Sequence, residues 1–166
     1  MDEGDELISD VGFCTHWFLE EMYYLACRLI EKSGKDTRYG QELFKTVSAV
    51  YETLYPHDDM SYGTMKKLAY MHINIALDET QTDKNDVTIC HHLKRAIDLA
   101  EKSVQIKEHA LTAPMVAGWK VTATPTDKFQ IARVIRGKME SADFDALRTK
   151  DWFAKEESRL FQVFNE

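Results

Sequence analysis

Apolar residues along this chain recur at steps of three and four rather than in alternation, the spacing of helices that each bury one face. From about Cys14, the residues Phe18, Met22, Leu25, Ala26 and Leu29 form one such stripe, widened by Trp17, Tyr23 and Ile30. Ser33-Gly34 predicts the end of that helix, with Gly34 suited to the left-handed cap conformation. Asp36 is placed to cap a second helix, in which Leu43, Val47, Val50 and Leu54 make a stripe beside Phe44 and Tyr51. Tyr55-Pro56 stops it, because proline drives its predecessor out of helical space.

A third helix starts at Ser61 or Tyr62. Its Met65, Leu68, Ala69, His72, Ile73 and Ala76, with Ile75 on a second face, predict packing on two sides. The polar run 78–86 is a loop, and Asp86 caps a fourth helix whose inner face is Cys90, Leu93, Ile97, Ala100 and Val104. The stretch 108–125 is irregular, holding Pro114, Gly118 and Trp119, and only Trp119-Lys120-Val121-Thr122 hints at a strand. Thr124-Pro125 opens a fifth helix, striped by Phe129, Ala132, Ile135 and Met139. The closing segment 141–166 reads as an amphipathic helix capped by Thr149 and packed through Phe153, Leu160 and Phe164. The reading is all-α: antiparallel helical hairpins, a fifth helix and a C-terminal helix.

Composition narrows the function classes. The chain has 166 residues, enough for one domain with a core that needs neither disulfide nor metal. Residues 1–13 have weak periodicity; the first ten carry five acids and no base, so 1–13 read as an acidic, partly disordered lead-in and 14–166 as a single domain. A net charge of −7 argues against direct nucleic-acid binding and against an anionic membrane surface. No stretch approaches the ~20 apolar residues of a membrane helix, and the acidic start is the opposite of a secretory signal. Cys14, Cys27 and Cys90 form no close pair, the usage of a reduced, cytoplasmic protein.

Candidate chemistry is thin. Cys90-His91-His92 is the densest metal-ligating cluster, but three successive helical residues point in different directions. Neither Glu-x-x-His nor His-Glu-x-x-His occurs, so no metal or other cofactor is expected. There is no Gly-x-Ser-x-Gly elbow and no glycine-rich phosphate loop, and the chain reads as a non-enzyme. Asp58-Asp59 is turn chemistry. Lys128, Arg133, Arg136 and Lys138 give the fifth helix a basic face, which fits pairing with acidic neighbours better than contact with an acidic partner. The aromatic residues of the first three helices are hairpin packing or, where they face a groove, binding anchors.

Helix, short turn, helix, repeated, resembles the tetratricopeptide repeat. The resemblance rests on Tyr23, Ala26, Cys27 and Ile30 before Gly34, and on Gly40, Phe44 and Val47 after it. A second hairpin runs from Tyr70–Leu77 to Leu93–Ala100. No proline closes either repeat, so both are degenerate. The later order, Ala113-Pro114-Met115-Val116, a further helix, then Phe144-Asp145-Ala146-Leu147-Arg148 and Trp152-Phe153, is similar to the C-terminal sensor regions of Firmicutes helix-turn-helix transcription regulators. There proline often stands where this chain has Ala146.

The resemblance implies a short right-handed tetratricopeptide-like array closed by a C-terminal capping helix. In that cap Phe144 and Leu147 plug the apolar end, while Arg148, Glu156 and Glu157 stay wet. It further implies a ligand- or peptide-responsive interaction domain of a bacterial transcription regulator, without its own DNA-binding motif. The groove residues it implies are Tyr24, Arg28, Tyr70 and Asn74. Two rivals stay open: a homodimerising helical scaffold, and a small helical enzyme using the loop around Trp119 as a lid.

Overall fold

The computed structural model describes residues 3–32, 35–121 and 127–165. The Ser33-Gly34 turn and Thr124-Pro125 lie outside the described residues, and the fifth helix begins at Gln130, later than expected. The architecture is all-α, with six α-helices among the described residues: α1 (Glu3–Ile30), α2 (Lys35–Leu54), α3 (Tyr62–Gln81), α4 (Asp86–Val104), α5 (Gln130–Met139) and α6 (Asp151–Val163). A two-residue ribbon, β1 (His109–Ala110) against β2 (Lys120–Val121), is antiparallel with His109 opposite Val121. The weak alternation at Trp119–Thr122 marks this ribbon.

The chain divides into two compact units, Met1–Ser61 with Lys107–Thr122, and Tyr62–Ile106 with Ala123–Glu166. In the first, α1 and α2 form a hairpin closed by Leu19, Ala26, Phe44, Val47, Tyr51 and Leu54, all buried. Gly40 makes the close approach possible, since a Cβ there would lie 2.9 Å from the Ala26 carbonyl oxygen and 2.7 Å from Ile30 Cγ1. α1 also begins at Glu3, so most of the expected lead-in is helix. Within it Gly12 lays its bare backbone against the short turn Pro114–Val116 returned by the irregular stretch. That stretch is held by Leu111 N–H to the Trp119 carbonyl (2.8 Å) and Gly118 N–H to the Leu111 carbonyl (2.9 Å), with Gly118 at φ +82°.

The second unit is built around α3, which packs on α4, on α5 and on the 3₁₀ turn Ala142–Leu147. Burial of Leu68, Met71, Ile73, Ile75 and Ala76 on α3 accords with a helix apolar on more than one face. The α3–α4 turn is capped by Asn85, not Asp86: its side-chain oxygen accepts from Val87 and Thr88 N–H at 3.0 and 3.3 Å. Asp86 falls inside the first turn and pairs with Lys150. α2 likewise begins at Lys35, which puts Asp36 within the helix.

In the closing segment, Phe144 and Phe153 are fully buried with ring centroids 5.8 Å apart, and Leu147 and Leu160 join them. Lys150, not Thr149, precedes α6, and it makes no side-chain cap. Arg148 closes α5 by donating to the Met139 carbonyl at 2.9 Å. Glu156 is not wet: it is buried and accepts from Arg159 at 2.6 Å.

Candidate functional site

Among the described residues, most of the exposed large hydrophobic side chains lie on α1. Its buried side is Gly12, Leu19 and Ala26, so of the stripe expected to face inward only Ala26 is fully buried. Phe18 is 55% exposed, and Ile8 and Val11, the latter 49% exposed, continue that outer side toward the start of the helix. Met22, Leu25 and Leu29 are half-buried. Small residues decide the rotation, because Gly12 and Ala26 let α1 seat deeply on that side while the bulkier residues cannot.

Positions 8, 11, 15, 18, 22, 25 and 29 alternate steps of three and four, the seam spacing of a coiled coil. Thr15 is its single polar member. One flank of the seam carries Glu21 and Arg28, neither with an ion-pair partner among the described residues. Beyond it, Phe13 and Trp17 are also largely exposed, and Phe13 leans edge-on to Trp119 with centroids 6.1 Å apart.

The four residues implied by the resemblance fall in two units. Tyr24 and Arg28 are exposed, one turn apart on α1, beside the apolar seam. Tyr70 is half-buried on α3, with the Lys138 ammonium 5.9 Å from its ring centre. Asn74 is 3% exposed, and its side-chain amide donates to the Tyr70 carbonyl of the previous turn at 2.7 Å. Its amide nitrogen is thus bonded back to its own helix, the packed arrangement of a helix-interior asparagine.

Several polar pairs were not visible as pairs in the sequence. Asp59 accepts from His109 Nε2 at 2.7 Å, and from Thr112 N–H and hydroxyl, both at 2.6 Å. His109 Nδ1 lies 2.8 Å from the Lys107 carbonyl. Both ring nitrogens thus face acceptors, an arrangement that favours the protonated imidazolium. The Lys107 carbonyl and the Asp59 carboxylate accordingly raise the His109 pKa. Burial works against the Asp59 carboxylate, but the Thr112 and His109 bonds outweigh it and lower its pKa. The clasp ties the ribbon to the end of α2.

Across the α3–α4 hairpin, His72 and His92 bring their Nδ1 atoms to 2.8 Å, so one ring donates and the other accepts. Arg159 donates to Glu101 through Nε and Nη2, to Asp98 also through Nη2 and to Glu156 through Nη1, at 2.6–3.1 Å. Burial would lower the Arg159 pKa, but the Glu101 and Asp98 bonds raise it. On α5, Arg133 pairs with Asp127 and Arg136 with Glu140, so these bases serve acidic neighbours.

Among the described residues, no three His, Cys, Asp or Glu side chains converge as metal ligands. Burial pushes the Cys27 and Cys90 thiols up, away from the thiolate. The cleft between α5 and α6, beside Arg136, Met139 and Leu160, holds about 20 Å³, room for water and not for a substrate. An open hollow along the ribbon is bordered by His109, whose nitrogens are already committed. No described helix is long and apolar enough to cross a membrane.

Compared with known proteins, the chain matches no family model, no curated protein and no solved structure.

Proposed function

We propose that this chain is a protein-interaction domain and that the outer face of α1 is its binding surface. The observation that carries this reading is the exposure of Val11 and Phe18 in a seam whose one polar member is Thr15. Contiguous exposed apolar patches on a folded domain are characteristic of docking surfaces. Tyr24 and Arg28 border the seam and add residue types favoured at binding hot spots. A helix offered in this way recognises another amphipathic helix, read through anchors at i, i+3, i+4 and i+7.

The narrower reading makes the chain the ligand- or peptide-responsive part of a bacterial transcription regulator, with DNA contact supplied by other protein. Its support is the tetratricopeptide-like seat of Gly40 on Ala26 in the first hairpin and the buried Phe144–Phe153 pair in the closing segment. The net negative charge agrees with a partner other than nucleic acid.

Selection of a displayed random-peptide library on the purified chain tests the interaction reading. Enriched peptides should carry apolar residues at three- and four-residue spacing, and should lose binding to Phe18→Glu while keeping it to Tyr70→Ala. Absence of enrichment, or peptides indifferent to Phe18→Glu, would count against the surface.

A further inference from the structure

The charge around the outer face of α1 specifies what it would hold. Next to the seam runs a second row with the same three–four spacing: Asp10, Cys14, Trp17, Glu21, Tyr24 and Arg28, exposed at every position. Asp10 and Glu21 have no ion-pair partner among the described residues. Glu20 lies on the side toward α2: half-buried, it accepts from the Tyr51 hydroxyl at 3.2 Å and sits 3.6 Å from His16 Nε2. Over its whole length α1 holds six acidic residues and one basic residue, Arg28. The edge of the seam thus offers carboxylates interleaved with the exposed rings of Trp17 and Tyr24. Carboxylates attract a cation by charge and ring faces attract it by their quadrupole.

The rest of the unit adds to this field. Met1–Ser61 with Lys107–Thr122 holds 14 acidic and 7 basic residues, whereas Tyr62–Ile106 with Ala123–Glu166 holds 14 of each. The net charge of −7 therefore belongs to the unit that carries the exposed face. A second copy of α1 brings the same acids, like charge against like. An uncharged helix satisfies the seam but covers Asp10 and Glu21 without a counter-charge, and a carboxylate desolvated without a cation is costly. A helix with lysine or arginine beside its apolar stripe meets both needs, because its long aliphatic stems extend the apolar contact while their heads reach the acids.

We infer that the partner of this surface is a basic amphipathic helix of another polypeptide. Its apolar face lies on the α1 seam, and its cationic heads lie along Asp10, Trp17, Glu21 and Tyr24. The inference rests on the reading of the outer face as a binding surface and specifies the chemistry of what binds there.

Fluorescence anisotropy of the full chain with synthetic helical peptides tests it. The peptides share one leucine stripe at three- and four-residue spacing and differ only at the polar positions, which are lysine, glutamine or glutamate. The lysine peptide should bind about tenfold or more tighter than the glutamine peptide, the glutamate peptide weakest, and the preference should largely vanish in about 0.5 M salt. Phe18→Ser should weaken the lysine and glutamine peptides alike. Glu21→Lys should weaken the lysine peptide about tenfold and spare the glutamine peptide. Asp83→Lys, the same charge change at an exposed position of the other unit, should alter neither. Circular dichroism of each variant should match the parent chain. Equal binding of the lysine and glutamine peptides, or equal losses from Glu21→Lys and Asp83→Lys, overturns the inference. So does a dimer in sedimentation velocity that Phe18→Ser dissolves, which puts a second copy on the face. In each of those cases a dependence on Phe18 leaves the binding surface standing. Peptide binding and oligomeric state both indifferent to Phe18→Ser contradict the surface and the inference together.

Discussion

Gly12 and Met115 meet backbone to backbone: a Cβ on Gly12 would lie 1.5 Å from the Met115 carbonyl oxygen. This contact seats the Gly12 side of α1 against the Pro114–Val116 turn. Gly12→Ala must separate the two backbones, at an expected cost of about 1–3 kcal/mol in chemical or thermal unfolding. Gly137 on α5 is the control, because nothing lies within 4 Å of its would-be Cβ. There the same change should stabilise by roughly 0.5–1 kcal/mol, from helix propensity alone. Equal effects at the two sites would contradict the account of α1.

The Asp59–His109 clasp predicts a pH dependence with a definite sign. The folded pKa of His109 is raised above its ordinary 6.5, so its contribution is complete below that value. It is lost as pH rises through the folded value. The folded pKa of Asp59 is lowered, so its contribution is present above its ordinary 3.8 and fades as pH falls through the folded value. Wild-type melting temperature should therefore fall on going from mildly acidic to mildly alkaline buffer by more than that of Asp59→Asn. Identical slopes would remove the clasp from the stability balance. The imidazole is partly exposed, so the effect should be modest.

Arg159 serves three carboxylates, of which Glu156 is 5% exposed. Arg159→Met leaves that carboxylate buried without its cation and should cost about 1–3 kcal/mol in urea unfolding. Arg159→Lys should recover only part of the loss, because one ammonium cannot reach three partners in the guanidinium's fork. Removing Glu156 as well, as Glu156→Gln in the Arg159→Met background, should cost less than the sum of the two single changes.

Asn74 separates the structural role from the expected groove role. Asn74→Ala removes a buried bond to the Tyr70 carbonyl and should lower stability by about 0.5–1.5 kcal/mol. Binding of selected peptides should not change. A loss of affinity at constant stability would return Asn74 to the binding surface.

Much of the secondary structure was legible because period and punctuation agreed. Four helices, the break at Tyr55-Pro56 and the strand hint before Thr122 all come from local spacing. Cap identities slipped by one residue where two suitable residues adjoin: Asn85 and Asp86 both suit a cap, and only the turn geometry chooses. The rotation of α1 was not legible, because Leu19, Ala26 and Ile30 form one apolar stripe and Phe18, Leu25 and Leu29 another. Periodicity shows both stripes, and the glycine contacts at 12 and 40 decide which is inside. Asn74 shows the same limit, since a helical asparagine that bonds its own backbone has the same sequence as one that waits for a ligand. The His72–His92 and Asp59–His109 pairs join residues 20 and 50 positions apart, and no local pattern marks them.

The central claim is that the outer face of α1 is where this chain holds another polypeptide. A photoreactive benzoylphenylalanine placed at Phe18, with Lys155 on α6 as an exposed control position, tests it most directly. Irradiation of the purified chain with selected peptides should give covalent polypeptide adducts from position 18 and few from 155. Equal yields at the two positions, or no adduct at position 18, would contradict it.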